Sequence, residues 1–249
     1  MKKIGIFFFL MLLSACNSEN APDCFQSTGN PVEREYDLPP FSEIMVYEGV
    51  KLYLTYDSTQ NLIVKTGKNL LEEVSIKVEA NKLIIKNENS CNMLRDYGEV
   101  EVFVTSPNLT LIQNGGSFTI KSTTVLPYPN LELIAENDGN EGQYHTDGVF
   151  DLKLDCENLK VVANGFSYFK LSGETENLFV GFYSSDGRLE TGNLIAQHIE
   201  FFHRSSNQLF LNPQQSLKGE IRSTGDVISL NKPSIVEVEE FYTGSLIFR

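Results

Sequence analysis

The chain has 249 residues, 41% of them hydrophobic, and a net charge of −13 at pH 7. That length allows one large or two small domains. The acidic excess excludes nucleic acid and anionic lipid surfaces as electrostatic partners, because both require a basic face.

Residues 1–15 read as a leader. Lys2 and Lys3 form a basic start, and residues 4–13 are apolar but too short to span a bilayer. The stretch ends in Leu13-Ser14-Ala15-Cys16. This resembles the lipobox of bacterial lipoprotein signal peptides, in which small residues precede the cysteine that becomes lipidated. An ordinary secretory leader cleaved near Ala15 is the alternative. A lipid on Cys16 would tether the protein to a membrane through its acyl chains. The expected place is the outer membrane, on the cell surface or the periplasmic side. Loss of Lys2 and Lys3 would take the net charge from −13 to −15.

Residues 16–40 are polar and carry Pro22, Pro31, Pro39 and Pro40, the composition of a flexible tether. Glu19 and Asp23 match loosely the acidic export signal of Bacteroidetes surface lipoproteins. Of the four cysteines, Cys24 lies in this tether and Cys91 in a polar segment. Those two could pair in an oxidising compartment, but spacing does not decide it. Cys156 follows Leu152 and Leu154 in the inward register and reads as a small buried hydrophobe. Without a Cys-x-x-Cys pattern there is no zinc ribbon or thioredoxin-type site.

Residues 41–249 read as a single domain. Its first part, 41–107, alternates as strands do: Ile44-x-Val46, Val50-x-Leu52-x-Leu54, Leu62-x-Val64, Val74-x-Ile76-x-Val78, Leu83-x-Ile85 and Val100-x-Val102-x-Val104. Asn81 marks a tight turn, and residues 68–73 form a short helical turn. Residues 108–249 are a repeat array with units opening at Leu109, Leu131, Leu159, Leu178, Ile199, Leu217 and Ile235. Four units begin with a literal Asn-Leu, at Asn108, Asn130, Asn158 and Asn177. Corners follow at Gly116, Gly165, Gly187, Gly225 and Gly244, and Asn164-Gly165 suits positive φ. A strand–corner–strand period of about 20 residues without helices predicts an all-β fold, a parallel β-helix or β-solenoid. A β-sandwich of regular hairpins is the alternative. Residues 136–143 are read as a loop bulging from one corner.

A family resemblance rests on these residues. Phe41-x-x-Ile44-x-Val46-x-x-Gly49-Val50-x-Leu52-x-Leu54 resembles the opening of the head GIN domain family, DUF2807, with Gly49-Val50-Lys51 at the name-giving Gly-Ile-Asn. Asn69-Leu70-Leu71, residues 74–78, residues 82–85, residues 100–104 and the Pro107-Asn108-Leu109 step continue the pattern. The resemblance implies an adhesin head with a parallel β-helix-like fold, exported by Bacteroidetes, and no catalytic residues.

Candidate chemistry is sparse. His145, His198 and His203 lack zinc-ligand spacing, and His203 beside Arg204 reads as a solvated corner. Asp147, Asp151 and Asp155, with Lys153, could supply acid, base and cation for polysaccharide cleavage. The plainer reading is a solvated strand face of alternating charge. Asn137, Asp138, Asn140 and Glu141 could hold Ca²⁺ through oxygens, or form a flexible acidic loop. Asp57-Ser58-Thr59 resembles a short O-glycosylation signal and equally suits a turn. No cofactor is implied.

Aromatic residues gather at the corners. Stacked units would align Phe166, Tyr168, Phe182, Tyr183, Phe202 and Tyr242 into a binding edge for a glycan or a protein. A structural ladder inside the fold is the alternative, and the absence of Trp weakens the glycan reading. The expectation is a non-catalytic, lipid-anchored envelope protein that acts as an adhesin or binding module. A polysaccharide-degrading β-helix enzyme and a self-associating structural protein are the alternatives.

Overall fold

The computed structural model describes residues 27–89, 100–136 and 145–249. The leader, Cys16, Cys24, Cys91 and the loop at 137–143 lie outside the described residues.

The fold is all-β. In chain order the strands are β1 (Pro31–Tyr36), β2 (Glu43–Val46), β3 (Val50–Tyr56), β4 (Asn61–Gly67), β5 (Val74–Glu79) and β6 (Lys82–Asn87). Next come β7 (Val100–Ser106), β8 (Leu111–Asn114), β9 (Thr119–Leu126), β10 (Asn130–Ala135), β11 (Val149–Ala163) and β12 (Tyr168–Ser185). The last six are β13 (Arg188–Ser205), β14 (Leu209–Leu211), β15 (Pro213–Ile221), β16 (Val227–Ser229), β17 (Ile235–Glu240) and β18 (Leu246–Phe248). They form one curled, half-barrel-like sheet.

Two parallel ladders make up most of that sheet. One runs β7, β3, β9, then the first halves of β11, β12 and β13, then β14, β16 and β18. The other runs β6, β2, β8, β10, then the second halves of β11, β12 and β13, then β15 and β17. Antiparallel strands flank the N-terminal side, with β5 on β6, β4 on β7 and β1 on β4.

Period-2 alternation decides which residues enter the core. In the first ladder Phe150, Phe169, Leu189, Leu209 and Val227 stand in line, and all are fully buried. In the second, Leu133, Val161, Val180 and Phe201 do the same. Both columns belong to one hydrophobic cluster, so the sheet curls around a shared core. Stacking places like on like: the Phe150 and Phe169 ring centroids are 4.7 Å apart and the rings are nearly parallel.

The corners are tied by serines. Ser167 Oγ donates to the Thr146 carbonyl at 2.7 Å, Ser185 Oγ to that of Gly165 at 2.7 Å, and Ser205 Oγ to that of Gly187 at 3.1 Å. Gly165 does not adopt positive φ. It is required by closeness instead, because a Cβ there would meet Thr146 Oγ1 at 1.9 Å.

Several expectations change. Part of the expected tether is strand β1, whose Val32 and Tyr36 pack on the core. Antiparallel pairing with β4 along its whole length holds the strand there. The helical turn at 68–73 shrinks to a 3-10 turn at Leu71–Glu73, anchored by buried Leu70 and Leu71. Asn108-Leu109 is one residue out of line with Asn130-Leu131, because Glu132 pairs with Leu111. Asn81, at φ 69°, makes the tight β5–β6 turn. Cys156 is buried and free, and burial pushes its thiol up to about 12.

Two substitutions test the stack. Phe169→Ala should cost about 3–5 kcal/mol, read as a lower urea midpoint at unchanged m. Gly173, at φ +109°, has the Leu154 carbonyl oxygen 2.0 Å from an added Cβ. Gly173→Ala should therefore destabilise by more than about 1 kcal/mol in the same assay.

Candidate binding face

In-register parallel stacking turns a sequence repeat into a row of side chains. Asn130, Asn158 and Asn177 stand opposite one another, followed by His198 and Ser216. Asn158 Nδ2 donates to Asn130 Oδ1 at 2.8 Å, and Asn177 Nδ2 to Asn158 Oδ1 at 3.0 Å. His198 Nδ1 and Ser216 Oγ are 2.8 Å apart. Two residues further along each strand is a second outward row: Glu132, Lys160, Phe179, Glu200, Lys218 and Glu237. Lys160 Nζ reaches Glu132 at 2.7 Å and Lys218 Nζ reaches Glu237 at 2.9 Å. The bond to Glu132 holds the Lys160 ammonium above its ordinary value. The two rows line a groove of about 570 Å³.

Beyond the groove the same outer face turns aromatic. Gly181 leaves room for the Tyr183 ring, which a Cβ at that glycine would meet at 2.9 Å. Tyr183 leans on Phe202, with ring centroids 5.3 Å apart. The Arg222 guanidinium lies 4.0 Å from the Phe241 ring centroid and 5.7 Å from that of Phe202. Glu220 accepts from Arg222 and raises its pKa. A hollow of about 990 Å³ here shares Phe179, Glu200 and Lys218 with the groove.

The six aromatic residues expected on one edge divide. Tyr183 and Phe202 meet on the outer face. Phe166, 68% exposed, and Tyr242, 67% exposed, sit at separate corners. Tyr168 belongs to the other ladder, where its hydroxyl donates to Glu190 at 2.6 Å. Burial, then that bond, pushes its pKa up to about 12. Phe182 is fully buried and cannot line an edge, because it stands in the inward column between Ala163 and His203. The asparagine row was missed as a site, although its signal was the Asn-Leu repeat itself, read only as a unit start.

The three candidate acids do not converge. Asp151 and Asp155 lie four residues apart in one strand, about 13 Å. That exceeds the separation a carboxylate pair uses on a glycosidic bond. Asp151 stands between Lys121 and Lys170 in its ladder, with Lys121 Nζ at 3.7 Å. Asp147 accepts from Ser117 Oγ at 2.8 Å. Among the described residues no three His, Cys, Asp or Glu side chains gather as metal ligands. Asp57 accepts from Ser58 Oγ and the Thr59 N–H, the geometry of a turn.

His203 is a correction. It is fully buried in the inward column with Phe182 and Ile221, not at a solvated corner. Nε2 bonds the Gly225 carbonyl at 3.1 Å, and Nδ1 makes no hydrogen bond of good geometry among the described residues. Burial pulls the imidazole down to about 4 from its ordinary 6.5. The folded state therefore holds it neutral while the unfolded chain takes up a proton below about pH 6.5. The contribution is full above that pH and fades as pH falls towards 4. Between pH 7.5 and pH 5 the loss should be on the order of 2 kcal/mol. His203→Leu should flatten that part of the slope in urea midpoints measured across the range.

The match to a family model covers residues 40–233, under the description "Putative auto-transporter adhesin, head GIN domain". A solved structure titled as a putative adhesin from Bacteroides fragilis superposes with TM-score 0.78 at 20% identity, covering 88% of this chain and 97% of that one. A structure titled "Putative lipid binding protein" from Parabacteroides distasonis gives TM-score 0.62 at 17% identity, covering 89% and 97%. One from Parabacteroides merdae, also titled a putative adhesin, gives 0.57 at 13%, covering 89% and 98%. At these identities the likeness concerns the fold. No curated protein matches the chain. With the family pattern spanning residues 40–233 of 249, the chain belongs to the head GIN domain family, DUF2807.

Proposed function

We propose that this protein is a non-catalytic, lipid-anchored binding module of the cell envelope, adhesin-like in role. Its contact surface is the outer face of rungs stacked as a β-solenoid. One observation carries the reading: the asparagine groove and the Tyr183–Phe202–Arg222–Phe241 cluster are contiguous on one ladder. An amide-lined groove beside exposed aromatic rings is a surface built for contact. The family's description as an adhesin head supports the same role. Cys16 carries the lipid, residues 1–15 are the removed leader, and the chain from about residue 31 onward forms one domain on the outer membrane.

The self-associating reading has one observation in its favour. The last rung exposes Ile235, Val236, Ile247 and Phe248. Glu237, Glu239 and Glu240 share that edge strand and would meet their own copies across a like-to-like junction.

Two measurements test the main reading. Cys16→Ala should move the protein from the membrane to the soluble fraction, and protease added to intact cells should digest the wild type. In a cell-adhesion assay the double variant Tyr183→Ser, Phe241→Ser should reduce attachment at least tenfold without lowering the melting temperature. Unchanged attachment by a folded double variant would sink the contact surface.

A further inference from the structure

The groove has more structure than a generic contact surface requires. We propose that it binds a neutral oligosaccharide of hexopyranose units, laid across the strands along Asn130, Asn158 and Asn177, with one ring stacked on Phe179. This rests on the binding-module reading above and names the ligand class of that surface.

Spacing is the first argument. Parallel strands are about 4.8 Å apart, so a ligand crossing them meets one amide per rung. A hexopyranose unit in an extended chain advances by nearly the same distance. A peptide strand advances about 3.3 Å per residue and runs out of step. The peptide also lacks its usual partner, a free strand edge. The strands β10, β11, β12 and β13 are each paired on both sides here.

Hydrogen-bonding capacity is the second. Asn158 spends one N–H on Asn130 and its oxygen on Asn177. Among the described residues a second N–H remains unused on Asn158 and on Asn177. The Asn177 oxygen also has no partner among the described residues, because the row changes to His198, whose Nδ1 turns to Ser216. Donors and an acceptor in a fixed line suit successive sugar hydroxyls.

Charge is the third. Glu132 neutralises Lys160, and Glu237 neutralises Lys218. Glu200 is left between them without a salt bridge in the described structure, so the floor favours no anion. A sulfated or uronic chain would meet that carboxylate. Phe179 stands between Lys160 and Glu200 in the floor row. Its ring offers the stacking face that the apolar side of a sugar ring needs. The volume, about 570 Å³, is that of a small-molecule site.

The test is calorimetric titration of the mature chain with cellohexaose and mannohexaose, beside sulfated and uronic hexamers. At least one neutral hexamer should bind and the anionic ones should not. Phe179→Ala and Asn177→Ala should each weaken binding at least tenfold. Phe179→Tyr should keep it, and so should Lys170→Ala on the other ladder. Thermal melts confirm folding of each variant. Binding of the anionic hexamers alone, no binding by either neutral one, or equal binding by folded Phe179→Ala would overturn the assignment. If the neutral hexamers fail while cell attachment still depends on Tyr183 and Phe241, only the saccharide is lost. If both fail, the binding-module reading goes with it.

Discussion

Parallel, in-register pairing between successive rungs is the constraint on which the rest depends. Each rung lays its residues directly over those of the rung before. A residue type at one position therefore acts through its neighbours in the column, not alone. Inward columns are mostly apolar, and a polar side chain placed in one must find a hydrogen-bond partner there, as Thr191 Oγ1 does by donating to the Phe210 carbonyl. Outward columns must settle their charges from rung to rung, as Glu132 with Lys160 and Lys218 with Glu237 do. Corner glycines and serines exist because two layers of backbone pass within contact distance there.

His203 shows how strict that rule is. An imidazole occupies a position filled by Ala163 and Phe182 in the two preceding rungs. The column accepts it only as the neutral form, with one nitrogen on a corner carbonyl. The same logic explains Phe182. Its aromatic neighbour Tyr183 lies on the outer face, yet one step along the strand moves a side chain from surface to core.

The outer face follows from stacking as well. No one rung contains a groove. Asn130, Asn158 and Asn177 are 28 and 19 residues apart in sequence and become hydrogen-bonded neighbours only through the ladder. Gly181 makes room for Tyr183, and Arg222 reaches back over Phe202 and on to Phe241. Four successive layers thus build one aromatic surface.

Local pattern determined a good deal by itself. Alternation in residues 44–54 and 150–171 marked strands and their buried faces, since period 2 is a property of the extended chain. The recurrence of Asn-Leu marked the repeat, and the run opening at Phe41 marked the family. The tertiary structure alone decided how far the N-terminal strands extend, because β1 is a strand only through its pairing with β4. It alone decided which corner aromatics are exposed, because bulges after Phe182 and within the rungs reset the register by amounts that no local signal encodes. It also turned three distant asparagines into one row. Contact between rungs is a long-range property, and a chain read one residue at a time carries its ingredients without their alignment.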